Sequence, residues 1–240
     1  MIESERWGLK GKGKKADMAH EINKKGIFRE IRMFQSIFTK SSEFASFEPV
    51  SHDDVVLVLP YIDHDLAVKV EEILRVRADH PGLLVLVDDD ERMGFIQVAN
   101  LVYMRSKSPF FGYLAQDAYP GMYWLEQGMN ALKQSDGGLM AFNEGRFFGT
   151  VAAFGLARRA WLSSLYRNML FYPGYKSQFG DTELSAIAFA QNKFVFNPNA
   201  LLIEVDYEKH HRVNSKEDDA LYKARLATQF DGLAPAKPQA

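Results

Sequence analysis

In three places in this 240-residue chain, an apolar run stops at carboxylates. Val55-Val56-Leu57-Val58-Leu59-Pro60 leads to Tyr61, Asp63 and Asp65. Leu83 to Val87 leads to Asp88-Asp89-Asp90, and Phe110 to Leu114 leads to Gln116-Asp117. Aspartates are rarely buried without a partner or a metal. Carboxylates gathered in one crevice repel one another, and such hard oxygen donors suit Mg²⁺ or Mn²⁺, above all beside a phosphate-bearing ligand. A fourth place is Gly180-Asp181-Thr182-Glu183-Leu184, with two acids at the start of a helical pattern. A carboxylate there can take a proton from a hydroxyl as a general base. Each group also has a purely structural use. Asp88 to Asp90 can cap the next helix, Asp117 can close a turn, and Asp181 with Glu183 can complete a helix cap. Both uses stand at this point.

These groups need a scaffold that brings strand ends together. The β-branched run at 55–59 predicts a strand buried on both faces. Leu66, Val68, Val70, Ile73, Leu74 and Val76 predict an amphipathic helix over 64–78, broken by Pro81-Gly82, and 83–87 predicts a second strand. Strand, helix and strand in that order make a βαβ unit with parallel strands. Further helices are expected at 93–105, 122–133, 158–170 and 182–191. Strands are expected at 110–114, 138–142, 147–154, 193–196 and 201–205. A helical spacing runs through Ile22, Ile27, Ile31, Phe34 and Phe38, and 41–52 reads as a loop. The expected organisation is a basic leader and helix over 1–53, one α/β domain over 54–232, and a tail over 233–240 without fixed structure. In open α/β sheets, ligands bind beyond the carboxyl ends of the parallel strands, where these acids fall.

Composition narrows the chemistry. Hydrophobic residues make up 47% and charged residues 25%, as in ordinary globular domains. The absence of cysteine excludes a disulfide scaffold, a thiolate metal site and a cysteine nucleophile. A net charge of −2 gives no general attraction to nucleic acid. No signal-peptide pattern opens the chain and no window approaches about 18 uninterrupted apolar residues, so a cytoplasmic protein is expected. Arg6, Lys10, Lys12, Lys14 and Lys15 could give peripheral membrane contact through anionic lipid. The turn after the first strand lacks the glycines of a dinucleotide or phosphate loop, which argues against a dehydrogenase and a nucleotidyltransferase. No G-x-S-x-G elbow is present for a triad hydrolase.

The order of the pieces resembles the family-2-like glycosyltransferases of the GT-A fold. VVLVLPYID at 55–63, LLVLVDDD at 83–90, Asn100 in QVANLVYMRS, YLAQDAYPG at 113–121 and GDTEL at 180–184 carry the resemblance, which covers 54–205. Two positions depart from the family pattern: Gln116-Asp117-Ala118 replaces Asp-x-Asp, and Gly180 replaces an acid. The resemblance implies a single GT-A α/β domain with a mainly parallel central sheet flanked by helices. It implies transfer of a sugar from a nucleoside-diphosphate sugar to a hydroxyl of a glycan or glycolipid, with inversion and a divalent metal, Mn²⁺ or Mg²⁺. Pro60, Tyr61 and Asp63 would line the nucleobase and ribose pocket, Asp88 or Asp89 would accept a hydrogen bond from the base, and Asn100 matches the family's helix asparagine. Asp117 would hold the metal, with His211 as a further ligand, and Asp181 would be the catalytic base. Gln116, Ala118 and Gly180 keep open a non-catalytic binding or scaffold protein on the same fold.

Overall fold

The computed structural model describes residues 34–44, 46–205 and 215–235. Strand β1 (Phe34–Lys40) leads into α1 (Ser41–Phe44) and β2 (Val50–Ser51). β3 (Val55–Tyr61), α2 (His64–Arg77) and β4 (Gly82–Asp88) form the expected strand–helix–strand unit. Next come α3 (Phe95–Met104), β5 (Ser106–Lys107), β6 (Phe110–Tyr113), β7 (Ala118–Pro120) and α4 (Trp124–Lys133). β8 (Leu139–Asn143), β9 (Gly155–Arg158), α5 (Arg159–Leu162), α6 (Gly180–Ala190), β10 (Phe194–Glu204) and α7 (Lys216–Ala227) complete the order.

Among the described residues, eight strands form one sheet in the order β1-β4-β3-β6-β9-β8-β10-β7. β9 and β7 run against their neighbours, and the other six share one direction. The carboxyl ends of those six therefore lie along one edge. β3 is buried at every residue from Val55 to Tyr61, because the sheet is covered on both faces. Val56 and Val58 face α3 and α6, where Ile96, Val98, Leu184 and Ile187 complete a core. Val55, Leu57 and Leu59 face α2 and α4, against Leu74, Trp124 and Leu132. This is the period-two alternation of a strand. Gly112 in β6 has a packing reason, since a Cβ there would sit 2.8 Å from Leu156 and 2.9 Å from Leu57.

Several elements differ from the sequence expectation. Phe34–Lys40 is a strand, not the end of a helix. It pairs in parallel along all of β4, from Phe34↔Gly82 to Lys40↔Asp88. The backbone groups offered by the edge of β4 outweigh a loose helical spacing. The sheet thus begins before residue 54, and 41–52 holds α1 and β2. Residues 17–33 of the expected helix lie outside the described residues. The expected strand at 147–154 is a loop, turned by the Glu144 carboxylate, which accepts the N–H groups of Arg146 and Phe147. The helix expected over 158–170 stops at Leu162. Tyr166, Arg167 and Asn168 lie in the left-handed region, with φ of 45°, 55° and 66°, which no continuing α-helix allows. The two late strands are one strand, β10, with an irregularity between Phe196 and Leu201.

Candidate active site

The carboxylates converge where the parallel strands end. After β3, Asp63 caps α2 by accepting the Leu66 N–H at 3.0 Å. Tyr61 is almost buried, and burial, with the Asp88 charge second, pushes its hydroxyl above the usual tyrosine range. Its hydroxyl lies 3.4 Å from His64 Nδ1. Phe38 of β1 sets its ring edge-on to Tyr61 and to His64, with centroids 6.2 and 5.8 Å apart. An aromatic wall thus stands beside Pro60 and Asp88, one part of which comes from a strand the sequence did not reveal.

After β4, three adjacent aspartates have three different surroundings. Asp88 is half-buried and pairs through its backbone with both Lys40 and Tyr61. The Asp89 carboxylate accepts the Met93 and Gly94 N–H groups, each at 2.8 Å, and so shapes the turn into α3. Asp90 accepts the Ser42 hydroxyl at 2.6 Å, the Ser41 hydroxyl at 2.8 Å and the Ser42 N–H at 3.1 Å. These hydrogen bonds, from the Ser42 hydroxyl first, hold the exposed Asp90 carboxyl down at about 2. Asn100 is buried inside α3. Its amide clasps the backbone of Phe171, donating to the carbonyl at 3.1 Å and accepting the N–H at 2.9 Å. It therefore holds the 171 loop. Trp124 is fully buried and donates to the Leu74 carbonyl at 3.0 Å.

After β6, Gln116 and Asp117 divide the work. The Gln116 side-chain oxygen accepts the N–H groups of Ile62 at 2.8 Å and Asp63 at 3.2 Å, tying this turn to the one after β3. Asp117 is nearly buried, and its carbonyl accepts the Val205 N–H at 2.9 Å. β7 and β10 bring Ala118 opposite Glu204. The Glu204 charge also acts on Asp181, at the start of α6. Asp117 and Asp181 thus border the same end of β10.

Burial pushes the Asp181 carboxyl above the usual carboxylate range, against the Thr182 N–H at 2.8 Å, which favours the charge, and Glu204 raises it further. The Asp181 carbonyl accepts the Ser185 hydroxyl at 2.7 Å, and Ser185 in turn accepts the Ala152 N–H at 2.9 Å. The fully buried Tyr113 hydroxyl donates to the Ala152 carbonyl at 2.7 Å.

The residue before Asp181's helix is strained, and α7 holds it there. Phe179 has φ 69° with no side-chain cap on α6, a conformation that costs about 1–2 kcal/mol for a residue with a Cβ. Tyr222 of α7 stacks on its ring, centroids 4.9 Å apart. Asp218, buried, accepts the N–H groups of Lys176, Ser177 and Gln178, each at 3.0 Å. Arg225 holds Glu183 through bonds of 2.7, 2.8 and 3.0 Å, and Tyr175 donates to the same carboxylate at 2.6 Å. The Arg225 guanidinium lies 3.4 Å from the Tyr172 ring centroid. Glu183 is therefore an anchor of the helix.

Glu204, Phe38 and the residues of α7 were not singled out from sequence. The rule that flagged Asp88, an acid closing an apolar run, also fits Glu204 after Leu201-Leu202-Ile203. Among the described residues, no group of three His, Cys, Asp or Glu is arranged to hold a cation. His211, like His210, lies outside the described residues. One nearly buried carboxylate fits a cation whose remaining ligands are substrate phosphates and water, the usual arrangement for Mg²⁺, and does not fit an all-protein cage.

No protein-family model and no curated protein matches the chain. Among solved structures it is similar to S. aureus TarS 1-349 in complex with UDP-GlcNAc. That match has a TM-score of 0.59 and 13% identity, over 78% of this chain and 68% of that one. It is also similar to the mannosyltransferase PcManGT from Pyrobaculum calidifontis in complex with GDP-Man and Mn²⁺, with a TM-score of 0.51 and 13% identity, over 83% and 70% of the two chains. At this identity the likeness is one of architecture: the described residues carry the GT-A fold, a curled and mainly parallel sheet between helices.

Proposed function

We propose that this protein is a glycosyltransferase that moves a sugar from a nucleoside-diphosphate sugar to a hydroxyl of a glycan or glycolipid, with inversion. One observation carries the proposal. Asp181, a carboxylate whose proton affinity burial has raised, opens α6 at the same sheet edge as Tyr61, Asp88 and Asp117. Two structures of like fold hold UDP-GlcNAc and GDP-Man. A raised carboxyl is the better base, and the proton of an attacking hydroxyl is what it would take.

In the proposed reaction the acceptor oxygen bonds to the anomeric carbon as the bond from that carbon to the diphosphate breaks. The acceptor's proton passes to Asp181, and the nucleoside diphosphate leaves. Pro60, Tyr61 and Asp63 line the nucleoside side. Asp88 is the better placed of the first two aspartates to accept from the base, because both Asp89 oxygens already hold backbone N–H groups. Asn100 acts through the 171 loop it holds. Asp117 would hold a divalent cation with the donor's phosphates, His211 being the candidate further ligand, and that cation would offset the leaving group's charge.

The test is thermal shift with UDP, GDP and the other nucleoside diphosphates, with and without Mn²⁺, followed by transfer assays. A metal-dependent rise with one nucleotide is expected. Asp181→Asn should then cut turnover about 10²–10⁴-fold while leaving that rise in place. Full turnover in Asp181→Asn refutes the mechanism. No rise with any nucleotide points to the non-catalytic binding protein.

A further inference from the structure

The opposite edge of the sheet, where the parallel strands begin, carries a groove of about 530 Å³. It lies between the end of α3, β5 and the start of α5. Arg105, Lys107 and Arg159 line it, with Ser108, Ser163 and Asn168, and none of its lining residues is acidic. Among the described residues, none of these three cations reaches a carboxylate within salt-bridge distance.

Arg159 is fixed as well as charged. Two of its guanidinium nitrogens donate to the Tyr103 carbonyl at 3.1 Å, and one donates to the Ser106 hydroxyl at 2.5 Å. The guanidinium lies over the Tyr103 ring, 4.1 Å from its centroid. Partial burial pulls its pKa below the usual arginine range. The Nε atoms of Arg105 and Arg159 are both buried and make no hydrogen bond. Among the described residues, the three cations of this groove meet no acid in its lining, which describes half of an ionic contact. The volume falls within the usual range for ligand sites, about 300–1,000 Å³, and exceeds what a single phosphate fills.

We propose that this groove is a second binding site, which takes an anionic ligand bearing more than one phosphate group. It lies the length of β3, about 20 Å, from the edge that holds Asp88 and Asp117. Arg105 and Arg159 offer planar donors suited to phosphate oxygens, and Lys107, exposed at the rim, adds a mobile charge.

The test is a titration of the full chain with tripolyphosphate and with orthophosphate at fixed ionic strength, without added metal. Saturable binding of tripolyphosphate is expected, tighter than that of orthophosphate. Arg105→Gln/Lys107→Gln should weaken it at least tenfold. Lys107→Glu alone, which leaves in place the hydrogen bond that the Arg105 guanidinium donates to the Phe47 carbonyl, should weaken it in the same direction. Binding no tighter than that of orthophosphate, or binding untouched by both variants, would each overturn the proposal. Sedimentation with cardiolipin vesicles, whose headgroup carries two phosphates, and with phosphatidylcholine vesicles then separates the sources. Cardiolipin binding that is lost in the double variant identifies a lipid headgroup. Tripolyphosphate binding without vesicle binding identifies a soluble polyphosphate.

Discussion

The two ends of the described chain are held together by opposite means. From β1 to β6 the interior is mostly hydrocarbon, with Asp89 and Asn100 as buried polar exceptions. β3 buries every residue, β4 buries all but its last, and Leu57, Leu74 and Leu84 are fully enclosed. From α6 to α7 the interior also holds charge, beside Leu184 and Ile187. Glu183 and Arg225 meet at 0% and 6% side-chain exposure, and Asp218 gathers three backbone N–H groups. The first kind of interior tolerates small changes in shape and the second does not, because a buried charge that loses its partner has no water to turn to. The proposed donor side rests on the forgiving interior, and the proposed catalytic carboxylate on the exacting one.

Removing the charge of Asp181 should sharpen this contrast most. Transfer should fall about 10²–10⁴-fold in Asp181→Asn, yet the melting temperature at neutral pH should rise. The sign follows from burial. A carboxyl raised in the fold stabilises it below the ordinary pKa of 3.8, and that support is lost as pH rises through the folded value. The neutral amide escapes the loss, so an unchanged or lower melting temperature would contradict the burial argument. Arg225→Met should cost about 3–5 kcal/mol in urea unfolding by stranding Glu183. Adding Glu183→Gln should restore part of that stability, and a double variant worse than the single one would break the comparison. Leu57→Ala in the hydrocarbon half should cost about 2–5 kcal/mol through its cavity, which no neighbouring polar change should recover. Asp218→Ala should cost about 2 kcal/mol, with faster hydrogen exchange at Lys176, Ser177 and Gln178 than at β3. The smallest effect belongs to Asp90→Asn. Asp90 is held at about 2, so its support is present above pH 3.8 and lost as pH falls towards 2. The variant should flatten that part of the acid melting curve and leave pH 7 almost unchanged.

The same division explains what could be read from the residues alone. β3, α2, β4, α3, β6 and α4 announce themselves through apolar periodicity, and the strand-end acids follow from their order. α7 is silent because its buried residues, Asp218 and Arg225, are both charged, and hydropathy reads such a helix as solvated. β1 is silent because only Phe34 and Thr39 are buried in it, and its pairing with β4 is a long-range fact. Asp89 reads as a ligand by type and position. Its hydrogen bonds to Met93 and Gly94, which only coordinates reveal, make it a turn residue as well. The convergence of Asp117, Glu204 and Asp181 depends on β10 returning beside β8 and β7, which no local pattern encodes.

Gln116 fastens the turn before Asp117 to the backbone at Ile62 and Asp63. Two loops so joined cannot be ordered independently. Whatever settles one of them lowers the entropy still to be lost by the other, and linkage makes the effect equal in both directions. A nucleoside seated on the first loop and a cation on the second would then be heterotropic partners, each raising the other's affinity by one shared factor. Gln116→Ala would leave both sites standing and remove the share of that factor carried by the loops, leaving the share carried by the donor's phosphates.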